Sequence, residues 1–190
     1  MNMLSYFDLR KGTLFIYEGK PCEVLDFSQT FKGRGSATAN VKIRNLVTGE
    51  VIEKTFHQGD EFEEAEIEEI EVLFIYSHRG KFVFSEKDNP GKRFELKEEQ
   101  IGKQARFLKP NTVVKGLKFE GKIINVLLPI KVNLKVIEAP PGLKGDRAQG
   151  GTKTVKLETG AKVNTPLFIK EGDIIEVNTR TGEYVRRIIR

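Results

Sequence analysis

The sequence predicts an all-β protein built from several small barrels. Three observations carry that prediction. Short apolar or alternating runs recur along the chain, among them Leu14–Tyr17, residues 51–56 and Ile174–Asn178. Turns rich in glycine and proline punctuate them, as in Glu18-Gly19-Lys20-Pro21, Thr48-Gly49-Glu50 and Asp88-Asn89-Pro90-Gly91. Only one stretch, residues 96–108, shows helical spacing. Many short strands with such punctuation are the pattern of sandwiches and barrels. The chain has 190 residues, 38% of them hydrophobic, enough for one large core or several small ones.

Residues 1–65 read as one compact module of five or six strands. Its centre is a hairpin tip, Gln29-Thr30-Phe31-Lys32-Gly33-Arg34-Gly35-Ser36. Gly33 and Gly35 give the tip backbone freedom and leave Arg34 without bulky neighbours. The exit strand alternates strictly, with Val41 and Ile43 inward and Lys42 and Arg44 outward. No acidic residue lies between Phe27 and Gly49, so tip and strand form a cationic finger suited to an anionic target. Phe31 either stacks on a base or packs beneath the hairpin, and packing is favoured. Residues 59–71 then carry eight acids and no base. They read as a short helix or strand pair at a seam, or as a solvated acidic face.

Residues 66–128 open with a hairpin, Phe74-Ile75-Tyr76-Ser77-His78-Arg79-Gly80-Lys81-Phe82-Val83. Ile101, Ala105 and Leu108 predict a helix over 96–108, with Glu98 and Glu99 near its start and Pro110 stopping it. Two strands follow, over 112–119 and 122–127. In residues 129–190, strands are expected over 132–137, 154–158, 161–163, 167–169, 174–178 and 184–189. A punctuated loop, residues 139–152, interrupts them with Pro140, Pro141, Gly142, Gly145, Gly150 and Gly151. Within it Asp146 can accept from base amino groups and Arg147 can pair with phosphate or a guanine edge. The hairpin over 175–185 echoes the one over 74–83. Two blocks of similar size suggest two oligonucleotide-binding (OB) Greek-key barrels.

Charge sharpens the partner class. Net charge is +5, unevenly spread. Residues 1–65 carry 8 Lys and Arg against 10 Asp and Glu, residues 66–128 carry 12 against 10, and residues 129–190 carry 12 against 7. A basic finger and a basic C-terminal part suggest a polyanion touched at separate places. Cys22 is the sole cysteine and sits in an apolar strand pattern, as a buried small hydrophobe would. The N-terminus lacks a signal-peptide pattern and no apolar run spans a bilayer, so a cytoplasmic protein without membrane contact is expected. His57 and His78 stand in unrelated segments, and no Walker loop, nucleophile–base pairing or metal-ligand spacing occurs. No catalytic residue, metal or cofactor is expected, and the sequence points away from an enzyme.

The residues that carry these features resemble bacterial elongation factor P along essentially the whole chain. The resemblance rests on Lys32-Gly33-Arg34-Gly35-Ser36-Ala37 with Val41-Lys42-Ile43-Arg44-Asn45-Leu46-Val47-Thr48-Gly49, and on Val51-Ile52-Glu53-Lys54-Thr55-Phe56. It continues through Pro141-Gly142-Leu143-Lys144-Gly145-Asp146, Leu157-Glu158-Thr159-Gly160, Pro166-Leu167-Phe168-Ile169 and Arg180-Thr181-Gly182-Glu183-Tyr184-Val185. It implies an L-shaped monomer of three β-barrel domains: an SH3-like, KOW-type barrel over 1–65 and OB barrels over 66–128 and 129–190. It implies binding to the ribosome between the peptidyl and exit sites, with contacts to rRNA and peptidyl-tRNA. There the family relieves stalling at consecutive prolines by placing the tRNA's CCA end. Lys32, Gly33, Arg34 and Gly35 match the tip that approaches that end. The tip residue, often a modified lysine, is here Arg34. That resembles the branch whose tip arginine is rhamnosylated by a glycosyltransferase; an unmodified tip is the other reading. Gly145, Asp146 and Arg147 match the loop that faces mRNA in the exit site, with Arg147 in place of the usual threonine. A paralogous elongation factor P-like branch and a non-ribosomal OB-fold RNA-binding protein are the alternatives.

Overall fold

Alternation of apolar and polar residues sets most of the chain into strands with one face buried. The computed structural model describes residues 2–31, 37–141 and 151–189, with Phe31 described by its backbone alone. In order, the first strands are β1 (Met3–Ser5), β2 (Leu14–Tyr17), β3 (Lys20–Phe31), β4 (Ala37–Asn45), β5 (Val51–His57) and β6 (Glu61–Glu63). β2 to β5 form an antiparallel sheet in sequence order, and β1 pairs with β6 beside it. An isolated bridge from Phe15 to Glu64 ties the two together. Phe15, Val24, Val41, Ile43 and Phe56 fill the core between them.

The central sheet contains β7 (Glu68–His78), β8 (Lys81–Glu86), β9 (Arg93–Lys97), β10 (Thr112–Phe119) and β11 (Lys122–Leu127), in the order β11-β10-β7-β8-β9. The C-terminal sheet contains β12 (Lys131–Glu138), β13 (Thr152–Leu157), β14 (Lys162–Pro166), β15 (Ile174–Asn178) and β16 (Tyr184–Ile188), in the order β14-β13-β12-β15-β16. Numbered within each sheet, both orders are 3-2-1-4-5. In both, the third strand also approaches the fifth across the open edge. This is the connectivity of the five-stranded, partly open OB barrel. The protein is therefore all-β, made of small barrels.

Three expectations change. The helix over 96–108 is instead the end of β9, a single turn α1 (Glu98–Ile101), and a 3₁₀ turn over Lys103–Phe107. Gly102, at φ +82°, breaks the run. Ile101, Ala105 and Leu108 are nonetheless buried in the central core as their spacing implied. Residues 167–169 form a turn rather than a strand. The hairpin over 74–83 joins the first and second strands of its barrel, whereas that over 175–185 joins the fourth and fifth of its own, so their likeness is not a repeat in register.

The acidic run resolves into β6, a connector and the start of β7. Glu68, Glu69 and Glu71 on β7 pair with Lys118, Lys115 and Lys87 at 2.9, 2.6 and 2.6 Å. The 3₁₀ turn divides its faces between two cores: Ala105 enters the central core, while Phe107, 2% exposed, enters the C-terminal one beside Leu134, Val136 and Ile169.

Candidate nucleic-acid interface

The finger is the extension of β3 and β4. Their ladder runs without a break from Asp26↔Lys42 to Phe31↔Ala37. A bulge between Val24 and Asp26 precedes it, a device that adds twist where the hairpin leaves the barrel. The last fully buried side chains on this side are Val24, Ala39 and Val41. On the opposite, solvent-facing side polar residues link the strands. Asn40 donates from Nδ2 to Thr30 Oγ1 at 3.2 Å, and Thr55 Oγ1 donates to Asn40 Oδ1 at 2.8 Å, so one side chain links β3, β4 and β5. The Arg10 guanidinium lies 4.4 Å from the Phe27 ring centroid and covers the finger's base.

Lys42 and Arg44 point outward, each facing an acid: Lys42 Nζ is 3.6 Å from Glu53 and Arg44 is 3.8 Å from Glu23. Such exposed, loose pairs contribute little and leave both cations accessible to solvent. The strand's basic face is thus partly offset by its neighbours, which the sequence reading did not foresee. Lys32, Gly33, Arg34 and Gly35 lie outside the described residues, as does the side chain of Phe31.

Gly145, Asp146 and Arg147 also lie outside the described residues. The strands that flank their segment are described. It connects β12 to β13, the first and second strands of the C-terminal barrel, one of the two loops with which OB barrels bind oligonucleotides. Thr154 donates to Asn164 at 2.7 Å on the outer face of β13 and β14, and Lys156 stands opposite Lys162 in register. Like charges directly opposite each other oppose pairing. Glu138 relieves the pair by meeting Lys156 at 2.6 Å.

Among the described residues no nucleophile–base pair or metal-ligand cluster is found. His57 and His78 are exposed. Burial pushes the Cys22 thiol up to about 11, which keeps it protonated and inert. Among the described residues no three His, Cys, Asp or Glu side chains gather to hold a metal, and no helix is long and apolar enough to cross a membrane.

One feature escaped the sequence reading. Asn45-Leu46-Val47-Thr48-Gly49-Glu50 and Asn178-Thr179-Arg180-Thr181-Gly182-Glu183 are the same turn, Asn-x-x-Thr-Gly-Glu. In each, the Asn Oδ1 accepts from the backbone N–H groups two and three residues on, at 2.9 and 3.0 Å in the first turn and 2.9 and 3.2 Å in the second. The Thr Oγ1 accepts from the Glu N–H at 3.3 Å in both, and the glycines stand at φ +76° and +77°. The repeated hexapeptide was the signal available in the sequence.

Known proteins show the same organisation. Residues 5–62 match the model of the elongation factor P (EF-P) KOW-like domain, and residues 132–187 that of elongation factor P, C-terminal. Elongation factor P of Symbiobacterium thermophilum is 42% identical over 185 residues, covering 97% of this chain and all of the relative. That of Carboxydothermus hydrogenoformans is 40% identical over 186 residues, covering 98% of this chain and all of the relative. Among solved structures, a translation initiation factor 5A from Methanococcus jannaschii has the same fold over 66% of this chain and 94% of its own, with a TM-score of 0.50 and 20% identity. A KOW-like barrel bearing a hairpin finger, followed by two OB barrels, defines the class of barrel-built translation factors. Within it, the chain belongs to the elongation factor P family. It is a translation elongation factor and not an enzyme.

Proposed function

We propose that this chain binds the ribosome between the peptidyl and exit sites and orients peptidyl-tRNA so that the ribosome's own reaction proceeds at consecutive prolines. Proline reacts poorly because its amine is secondary and its ring restricts the backbone. Catalysis by orientation needs no chemistry from the factor itself. The observation that carries the reading is the finger: a polar-stapled hairpin that outruns its barrel's core and ends in the segment of Arg34. Lys32, Gly33, Arg34 and Gly35 would meet the CCA end, with Lys42 and Arg44 lining the approach to rRNA and tRNA phosphates. Gly145, Asp146 and Arg147, on the loop between β12 and β13, would face mRNA in the exit site.

The domains fall at 1–65, 66–128 and 129–190, and the protein acts as a cytoplasmic monomer. Arg34 is also the site at which an arginine-modifying glycosyltransferase would act. In a reconstituted translation system, Arg34→Ala is expected to abolish the acceleration of proline-run synthesis while ribosome co-sedimentation persists. Unchanged synthesis would refute the central role of the tip. Intact mass of the protein from its native host decides the modification: a rhamnosyl increment on the Arg34 peptide supports it, and an unmodified mass removes it.

A further inference from the structure

The twin turns dock on one short segment, at its two ends. The N-terminal turn follows β4, the strand that leaves the finger, and rests on α1. A Cβ added to Gly49 would lie 3.0 Å from the Gln100 carbonyl oxygen and 3.1 Å from that of Glu99. Two amides lock the contact. Gln100 donates from Nε2 to the Val47 carbonyl at 3.0 Å, while its Oε1 accepts from the Lys97 N–H at 2.9 Å. Asn125 on β11, 7% exposed, donates both amide hydrogens: to the Leu46 carbonyl at 3.0 Å and to the Gln100 carbonyl at 2.9 Å. Its Oδ1 accepts from the Val126 N–H at 2.8 Å, so both ends of this buried amide are occupied. The C-terminal turn closes on the other end of the segment. The Arg106 guanidinium lies against Gly182 and 4.7 Å from the Phe107 ring centroid, and Lys109 meets Glu158 at 2.9 Å.

We infer that Gln100 and Asn125 are positioning residues, which set the direction of the finger by clamping its root to the central barrel. This inference rests on the function proposed above. Both amides act through backbone carbonyls at the proximal end of β4. That strand has nine residues, about 30 Å at ~3.3 Å per residue. A tilt of about 10° at its root would therefore move the far end by roughly 5 Å. In reactions governed by orientation, a displacement of about 1 Å can cost roughly 100-fold. A buried Asn in the apolar run Ile123-Ile124-Asn125-Val126-Leu127 weakens its own strand's packing. Holding two separate backbone segments in register accounts for its presence there.

The test uses the full chain with two variants, Asn125→Ala and Gln100→Glu. The second keeps an acceptor for Lys97 and replaces the donor to Val47 with a carboxylate oxygen that repels its carbonyl, so it loosens the clamp without opening a cavity and reports even where the first fails to fold. Spin labels at Gln58→Cys and Lys92→Cys, both exposed, read the distance between the N-terminal and central sheets. A reconstituted proline-run assay over a range of factor concentrations separates maximal rate from half-saturation. The expected result is a distance distribution about twofold broader, a maximal rate about tenfold lower, and half-saturation changed by less than about threefold. Lys122→Ala, exposed on the same strand, should change none of these. A distribution as narrow as wild type, or a broadened one with unchanged maximal rate, overturns the inference. If the wild type itself fails to accelerate proline-run synthesis, the proposed function falls instead, and the distance distributions still decide whether the clamp exists.

Discussion

Gly19 and Gly49 hold nearly the same backbone, at φ +73° and +76°, but only one has neighbours. A Cβ at Gly19 would meet nothing within 4 Å, whereas one at Gly49 would press on two backbone carbonyls of α1. The conformational penalty is therefore shared and the steric one is not. Gly19→Ala should cost about 1–2 kcal/mol. Gly49→Ala should cost that and an overpacking penalty of about 1–3 kcal/mol more, because backbone cannot swing aside as a side chain can. Urea denaturation of the two variants checks the ordering; equal losses would mean that the turn does not bear on α1. The conformational part was legible in the sequence, since Gly in Thr48-Gly49-Glu50 announces a turn. Its partner, some fifty residues away, was not, because nothing in a local window marks which surface a turn will touch.

At the scale of elements, the finger is held on its outer face by polar side chains, on the side away from the core. Asn40 joins Thr30 and Thr55 across three strands on the outer face, opposite the buried Ala39 and Val41 that flank it in β4. Asn40→Ala should lower global stability by only about 1 kcal/mol per lost bond. Its larger effect should be local: faster amide exchange in residues 28–31 and 37–40, with the rest of β4 unchanged. Uniform protection across β4 would show that the polar staple is idle. The sequence made the two strands and their inward face plain through alternation. It could not show that Glu53 and Glu23 would stand beside Lys42 and Arg44, since facing residues are fixed by register and bulge. The segment over 96–108 teaches a related point. Spacing reported correctly which side chains share a side, but it could not tell a continuous helix from a strand end, one α turn and a 3₁₀ turn. Gly102 was the local sign of the break.

For the whole molecule, ionisation links stability to pH through the contact between the central and C-terminal barrels. Burial acts to raise the pKa of Glu158. The hydrogen bond from Lys109 and that from the Lys135 N–H outweigh it, so the carboxyl stays below the usual glutamate value of 4.5. A carboxylate whose pKa is lower when folded stabilises the fold above the unfolded value and loses that contribution as pH falls through the folded one. The contact should therefore be intact at pH 5 and above and weaken progressively below about 4.5. Thermal melts at pH 7, 4 and 3 check this, with Glu158→Gln as the control whose acid sensitivity should be smaller. Identical pH dependence in the two proteins would remove Glu158 from the account. The barrel class was legible from strand lengths and turns, and the family from its motifs. The OB strand order expected for both blocks is the one found; the place of each hairpin within it was not legible, because two hairpins of similar composition join strands one and two in one barrel and strands four and five in the other.

Phe107 leaves a mark on how the chain is made. It is synthesised with the central barrel but completes the core of the C-terminal one. At about 5–20 residues per second, the strands that bury it, through Val177, follow only after roughly 4–14 s. During that interval Phe107 has none of the neighbours that bury it in the finished fold. The C-terminal barrel therefore cannot complete its core from its own strands, and its folding and its attachment to the central barrel share a single side chain.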